Sequence, residues 1–141
     1  KAHDSRWTHR PIFDWNKVER RHQSGTIEHK IFNAIKKMIA VRKEISAFAD
    51  FNNRELINIE NTHLFVFSRF NLTRGASGVL VVVNFDAKPQ YLDLDHLPIK
   101  SVLAHGHVRD LISGDSPALF KNQLVIPPYH YYWLTDQERF S

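Results

Sequence analysis

The order of apolar and polar residues predicts one amphipathic helix followed by a series of short strands. After Ser24-Gly25-Thr26, apolar residues recur at three- and four-residue steps, which predicts a helix over residues 26–45. Its apolar positions are Ile27, Ile31, Ala34, Ile35, Met38, Ile39 and Ile45. Lys30, Lys36, Lys37 and Lys43 take the opposite face. One face is therefore solvated, and the apolar face must pack against another surface.

The first 25 residues have no clean hydrophobic period. Arg10-Pro11 disfavours a helix through residue 10, because the residue before proline is pushed toward extended backbone. We expect a loop here, followed by a short helix over residues 14–21 with Asp14 as its N-cap.

From residue 46 onward the pattern becomes that of strands. Residues 64–67 and 79–83 are β-branched or aromatic runs, and the turn-rich segment 73–78 separates them. Residues 91–95 alternate strictly, so Leu92 and Leu94 should face inward and the aspartates should face water. Further strands are predicted at 101–103, 108–112, 119–120, 123–126 and 129–134. Many short strands with regular turn signals predict an antiparallel sandwich or barrel.

Composition and charge narrow the class of protein. The 141 residues suffice for one domain with a flanking piece, and the absence of cysteine excludes disulfides and thiolate metal sites. No apolar run approaches the ~20 residues of a membrane helix, so we expect no membrane partner and a cytoplasmic location. The net charge is +4, with the basic residues concentrated before residue 45. A solvated helix face explains these charges better than a phosphate-binding patch, so we expect no nucleic-acid partner.

Two clusters in the β region have a chemical and a structural interpretation. His105 and His107 would share one face of a strand, but no third ligand is near in sequence, so we expect no metal. Tyr129, Tyr131 and Trp133 would also share a face, and packing explains them better than stacking on a sugar or base. No phosphate loop, nucleophile elbow or cysteine nucleophile is present.

The motif DSRWTHRP, residues 4–11, is the strongest candidate for a site. The fork of an arginine side chain suits a carboxylate or phosphate. A local pairing of Asp4 with Arg6 or Arg10 would be purely structural, and the residues alone leave both interpretations open.

DSRWTHRP and the following Phe13-Asp14-Trp15 resemble the segment after the last barrel strand in amylosucrases and their sucrose-hydrolysing relatives. These enzymes belong to the α-amylase superfamily, glycoside hydrolase family 13. IFNAIKKMIAVRK, residues 31–43, is similar to the last barrel helix of that family. LVVVNF (80–85), DLISG (110–114) and LVIPPY (124–129) follow the order of its carboxy-terminal β-sandwich. The resemblance covers nearly the whole chain, and DSRW-x-x-RP is its most specific part.

The resemblance implies a division into two parts. Residues 1–45 would be the last βα loop and helix 8 of a (β/α)8 catalytic barrel, and residues 46–141 a carboxy-terminal β-sandwich. Since residue 1 is not methionine and a site-like motif follows at once, we expect a fragment of a longer enzyme. The remainder of the barrel would be its partner.

The resemblance also implies the chemistry of the longer enzyme, which is retaining transfer or hydrolysis of a glucosyl group from sucrose without a cofactor. The arginine matching Arg6 forms an ion pair at the floor of the substrate pocket, while Asp4, Trp7, His9 and Arg10 would hold the loop in shape. The catalytic carboxylates of the family lie earlier in the barrel, so no catalytic residue is assigned here.

Three further expectations follow. A stand-alone carbohydrate-binding sandwich is the alternative to the fragment, and it would need an aromatic platform from Tyr129, Tyr131 and Trp133. A basic nucleic-acid module is the weaker alternative. If the chain is a fragment, Ile31, Ile35 and Met38 lack their barrel partners and should be covered by self-association.

Overall fold

The computed structural model describes residues 12–71, 77–95, 97, 108–121 and 123–136. The chain divides into two compact units, Lys1–Met38 and Ile39–Ser141. The domain boundary predicted between residues 45 and 46 stays a prediction, and the division into compact units falls after Met38, inside the long helix.

The described part of the first unit contains a short helix and the first twelve residues of a long helix that continues into the second unit. A 3-10 helix spans Trp15–His22, and the Asp14 carboxylate accepts a hydrogen bond from the backbone N–H of Asn16 at 3.1 Å. The predicted N-cap is therefore confirmed, and the short helix has 3-10 geometry. The long helix α1 spans Ile27–Glu44, within one residue of the prediction at each end. The Thr26 hydroxyl caps it by accepting from the N–H of His29 at 3.2 Å.

The described part of the second unit is built from eight strands. They are β1 Arg54–Leu56, β2 Leu64–Asn71, β3 Ser77–Asn84, β4 Gln90–Asp93, β5 Arg109–Asp110, β6 Leu119–Phe120, β7 Gln123–Ile126 and β8 Tyr131–Thr135. Five form one sheet in the order β1-β2-β3-β8-β5, and three form a second sheet in the order β4-β7-β6. Every pairing is antiparallel, which confirms the predicted class of β structure.

The larger sheet has an apolar cluster on each face. Alternate residues of β3 belong to different clusters, as the period of two requires: Leu80 and Val82 to one, Val79 and Val81 to the other. The first cluster includes Leu92, Leu124 and Ile126 of the smaller sheet, so it fills the space between the two sheets. The second includes Ile45, Ala47 and Phe48, which form or precede a short 3-10 helix at Ser46–Phe48.

Several sequence predictions need correction or lie outside the description. β8 begins at Tyr131 rather than 129, because Tyr129 occupies a turn with φ of +52°. Strand β1 and the 3-10 helix Ser46–Phe48 were not predicted. Leu92 is buried and Leu94 packs against the same cluster, as predicted, while Asp95 is exposed and Asp93 is half-buried. The strand predicted at 101–103 lies outside the described residues.

Candidate functional site

The residues of the predicted pocket floor lie outside the described residues. Asp4, Arg6, Trp7, His9 and Arg10 all fall before residue 12. The predicted ion pair of Arg6 and the supporting roles of the other four stay predictions. His105 and His107 lie outside the description as well.

The described part of the chain presents one conspicuous apolar surface, on helix α1. Ile27, Ile31, Ile35 and Ile39 follow one another at four-residue steps, so they lie on one side of the helix. Their exposed fractions are 60%, 52%, 51% and 49%. Met38, which was expected with Ile31 and Ile35 to lack its barrel partners, is half-buried. Half-exposed isoleucines in a continuous row are typical of a surface that another protein segment covers.

The end of α1 behaves differently from its beginning. Val41 packs against the cluster that contains Ile45 and Phe48, and Ile45 is only 3% exposed. Val41 and Ile45 belong to the second unit and pack within it, while Ile27, Ile31 and Ile35 belong to the first unit and are about half exposed. The exposed apolar surface therefore consists of the isoleucines that follow one another along α1.

The carboxylates of the first unit have structural roles in the described structure. Asp14 caps the 3-10 helix, and Glu28 lies 3.1 Å from the Arg20 guanidinium. Glu19 lies 3.7 Å from Arg21 and is largely exposed. None of these arrangements brings two carboxyl groups together for acid and nucleophile roles. None of these carboxylates was expected to be catalytic, and their contacts give no reason to assign them a catalytic role.

The aromatic run at the end of the chain does not form the platform that the carbohydrate-binding alternative would need. Trp133 packs against Phe48, with ring centroids 4.9 Å apart, and contributes to the second apolar cluster. Tyr129 stands in the preceding turn and is 71% exposed. Because the three rings do not share a strand face, the carbohydrate-binding alternative loses the surface it required.

A buried amide that the sequence analysis did not single out joins the two sheets. Asn84 ends β3 and is 1% exposed. Its side-chain amide group donates to the carbonyls of Lys88, Ile126 and Pro127 at 2.9, 3.1 and 2.9 Å. Its side-chain oxygen accepts from the N–H of Asp86 at 2.8 Å. The signal in the sequence is a polar residue placed directly after the apolar run of residues 79–83.

A buried carboxylate performs a similar task at β5. Asp110 is 3% exposed, and its carboxylate accepts from the N–H groups of Ser113 and Trp133 at 2.8 and 2.9 Å. Gly114 completes this turn with φ of +87°, a conformation that glycine adopts without strain. Burial, and secondarily the Asp110 carboxylate, raises the pKa of Tyr132 above its ordinary value. These residues fix the turn carrying the DLISG motif.

The described residues contain neither a cluster of metal-ligating side chains nor a membrane-spanning helix. Within residues 12–71, 77–95, 97, 108–121 and 123–136, no three His, Cys, Asp or Glu side chains converge as a metal site would need. No helix in the same described ranges has the length and apolar character to span a bilayer.

The fold is an antiparallel β-sandwich of two sheets, as predicted. Trehalose-6-phosphate hydrolase (TreA) of Bacillus licheniformis shares this fold, with a TM-score of 0.50 and 23% identity. The match covers 71% of this chain and 17% of that enzyme, so the chain spans less than a fifth of the length of the protein it matches.

Two further solved structures are similar with a lower TM-score. Isomaltulose synthase of Erwinia rhapontici has a TM-score of 0.47 and 21% identity over 70% of this chain and 17% of its own. MutB, solved with its substrate sucrose, has a TM-score of 0.47 and 24% identity over the same shares. No family model matches the sequence. The fold expected from the resemblance to glycoside hydrolase family 13 agrees with the fold shared with trehalose-6-phosphate hydrolase.

Proposed function

We propose that this chain is the carboxy-terminal part of a retaining enzyme of glycoside hydrolase family 13 that acts on α-glucosides, with sucrose as the donor. The observation that carries the proposal is the β-sandwich fold shared with trehalose-6-phosphate hydrolase. The choice of sucrose depends on the resemblance of DSRWTHRP to the amylosucrase motif.

The role of this part of the enzyme is structural and substrate-positioning rather than catalytic. The open isoleucine row on α1 supports a partner surface, for which we propose the remainder of the catalytic barrel. Half-exposed Ile27, Ile31 and Ile35 would become buried in that interface. Full burial of an isoleucine side chain contributes about 1.5–3 kcal/mol, so the row provides enough apolar area to hold the helix in place.

The proposed chemistry places only one group of this chain near the substrate. In a retaining enzyme one carboxylate attacks the anomeric carbon, and a carboxylic acid protonates the leaving group and later activates the acceptor. We propose that both carboxyl groups belong to the preceding barrel. Arg6 would hold a carboxylate of that barrel at the pocket floor, and an unpaired charge there would be costly.

The experiment that tests this proposal uses the full-length enzyme. Sucrose is added and fructose release is followed for the wild type, Arg6→Ala and Arg20→Ala. Arg20 is the matched control, since its guanidinium pairs with Glu28 at a partly exposed position, where an ion pair contributes about 0–1 kcal/mol. We expect rapid release by the wild type and Arg20→Ala, and a loss of at least about 100-fold in kcat/KM for Arg6→Ala.

Two other results would change the proposal. Glucose release from maltose or starch without activity on sucrose would retain the enzyme class and overturn the donor. Absence of activity on every α-glucoside would overturn the enzymatic function, leaving only the fold.

A further inference from the structure

Arg69 is a buried arginine held in one position by the second unit. It lies in β2 and is 8% exposed. Its Nε donates to the Asn53 side-chain oxygen at 2.9 Å, and a terminal nitrogen donates to the carbonyl of Asp50. The guanidinium also lies over the Phe48 ring, 5.6 Å from its centroid. The cation is therefore fixed by neutral groups and an aromatic face.

Two more arginines converge on this position. Arg54 of β1 lies directly opposite Arg69 in the antiparallel pairing, so both side chains are on the same face of the sheet. Arg42, in the last turn of α1, lies over the ring of Phe51 at 6.0 Å, and that ring is 66% exposed. The pKa of Arg69 is lowered, first by burial and then by the charges of Arg54 and Arg42.

This arrangement is unfavourable without a balancing charge. Like charges directly opposite on neighbouring strands destabilise a sheet. The carboxylate that opposes the lowering of the Arg69 pKa is that of Asp50, which also accepts from the N–H of Asn52 at 2.8 Å. Three guanidinium groups and one carboxylate leave an excess of two positive charges. A dianion would balance this excess, and a single carboxylate would not.

We propose that Arg42, Arg54 and Arg69 form a binding site for a phosphate dianion. Arg42 and Arg54 are exposed and provide planar forks that bind phosphate oxygens bidentately, and the fixed Arg69 supplies the charge beneath them. The phosphate is either the free ion or the group of a phosphate ester, whose organic part would contact Phe51. The proposal does not depend on the function proposed above.

The test measures thermal unfolding of the 141-residue chain in sodium phosphate, glycerol 3-phosphate, acetate and chloride at equal ionic strength. In phosphate at ten times its dissociation constant, we expect the melting temperature to rise by about 5 °C over chloride. Arg54→Gln and Arg42→Gln should abolish this rise. Lys121→Asn is the charge-matched control and should retain it, because Lys121 lies beside Phe120, with Nζ 5.4 Å from the ring centroid, and asparagine tolerates its φ of 48°.

The melting temperatures in chloride alone distinguish a binding role of these arginines from a structural one. In chloride alone, Arg54→Gln should melt at the same or a higher temperature than wild type, because repulsion of Arg69 is removed. A lower melting temperature in chloride together with an unchanged phosphate response would overturn the proposal, as would an equal rise in acetate. A larger rise with glycerol 3-phosphate than with phosphate identifies an ester as the ligand, and equal rises identify the free ion.

Discussion

At the scale of single residues, Asn84 shows how one amide group stabilises a sandwich of two small sheets. It closes β3 and donates to carbonyls of the following loop and of the segment between β7 and β8. The bond to the Ile126 carbonyl is buried, the bonds to Lys88 and Pro127 are partly buried, and the Pro127 carbonyl also accepts from the N–H of His130. The amide thus ties the loop after β3 to the end of β7 through several hydrogen bonds of one side chain.

We expect Asn84→Ala to lower the free energy of unfolding by about 1–3 kcal/mol, because it removes the hydrogen bonds of a buried amide to Lys88, Ile126 and Pro127. Urea denaturation of the variant and the wild type measures the difference. Asn33→Ala is the control, since Asn33 donates to the carbonyl of His29 on the exposed side of α1. Its effect should stay within about 0.5 kcal/mol. Equal effects of the two substitutions would contradict the role of Asn84.

Tyr132 provides a prediction on pH dependence. Its pKa is raised above 10.0 by burial and by Asp110, so folding favours the neutral phenol. The associated stability is fully present below the unfolded-state pKa and is lost as the pH rises through the raised folded-state value. An alkaline absorbance titration compares the wild type with Tyr132→Phe. The variant should lack one tyrosine ionisation step, and in the folded wild type that step should lie at a higher pH than tyrosine ionisation in the urea-unfolded chain. A missing step at or below the unfolded value would disprove the assignment.

At the scale of elements, helix α1 combines an anchored end with an uncovered row of isoleucines. The 141-residue chain should therefore self-associate at high concentration, because two such rows can cover each other. We expect Ile31→Glu with Ile35→Glu to shift the chain toward monomer in size-exclusion chromatography with light scattering. Lys36→Gln with Lys37→Gln changes the net charge equally on the polar side of the helix and should leave the association unchanged. A monomeric wild type at every concentration would contradict this prediction.

Some helices and strands could be predicted from the sequence, and others could not. Helix α1 and strands β2, β3 and β7 have long or strict hydrophobic periods, and their predicted positions agree with the structure to within a few residues. Strand β1 has three exposed residues and no alternation, and it exists only because it pairs with β2. Tyr129 reads as part of a strand, but Pro127-Pro128 forces a turn before β8 can begin.

At the scale of the whole molecule, sequence patterns predicted the class of fold but not the order of its strands. The apolar pattern of β8 does not reveal that β8 lies between β3 and β5. A hydrophobic pattern shows which side chains face the core, but it does not identify the strands on either side. The cluster of Arg42, Arg54 and Arg69 was invisible for the same reason, since register alone brings Arg54 opposite Arg69. The motif around Arg6 was found through family resemblance, and its place in the structure lies outside the described residues.

The position of β8 has a consequence for synthesis in the cell. Both β3 and β5 pair with β8, which is the last of these strands to be synthesised. Leu80 of β3 therefore cannot pair with Leu134 until β8 has been made. The larger sheet cannot close until Thr135 has left the ribosome. Until then β3 exposes an apolar edge, which is the kind of surface that binds chaperones or aggregates. Translation speed across the segment that joins β3 to β8 should therefore affect the yield of folded protein more than translation speed before β2.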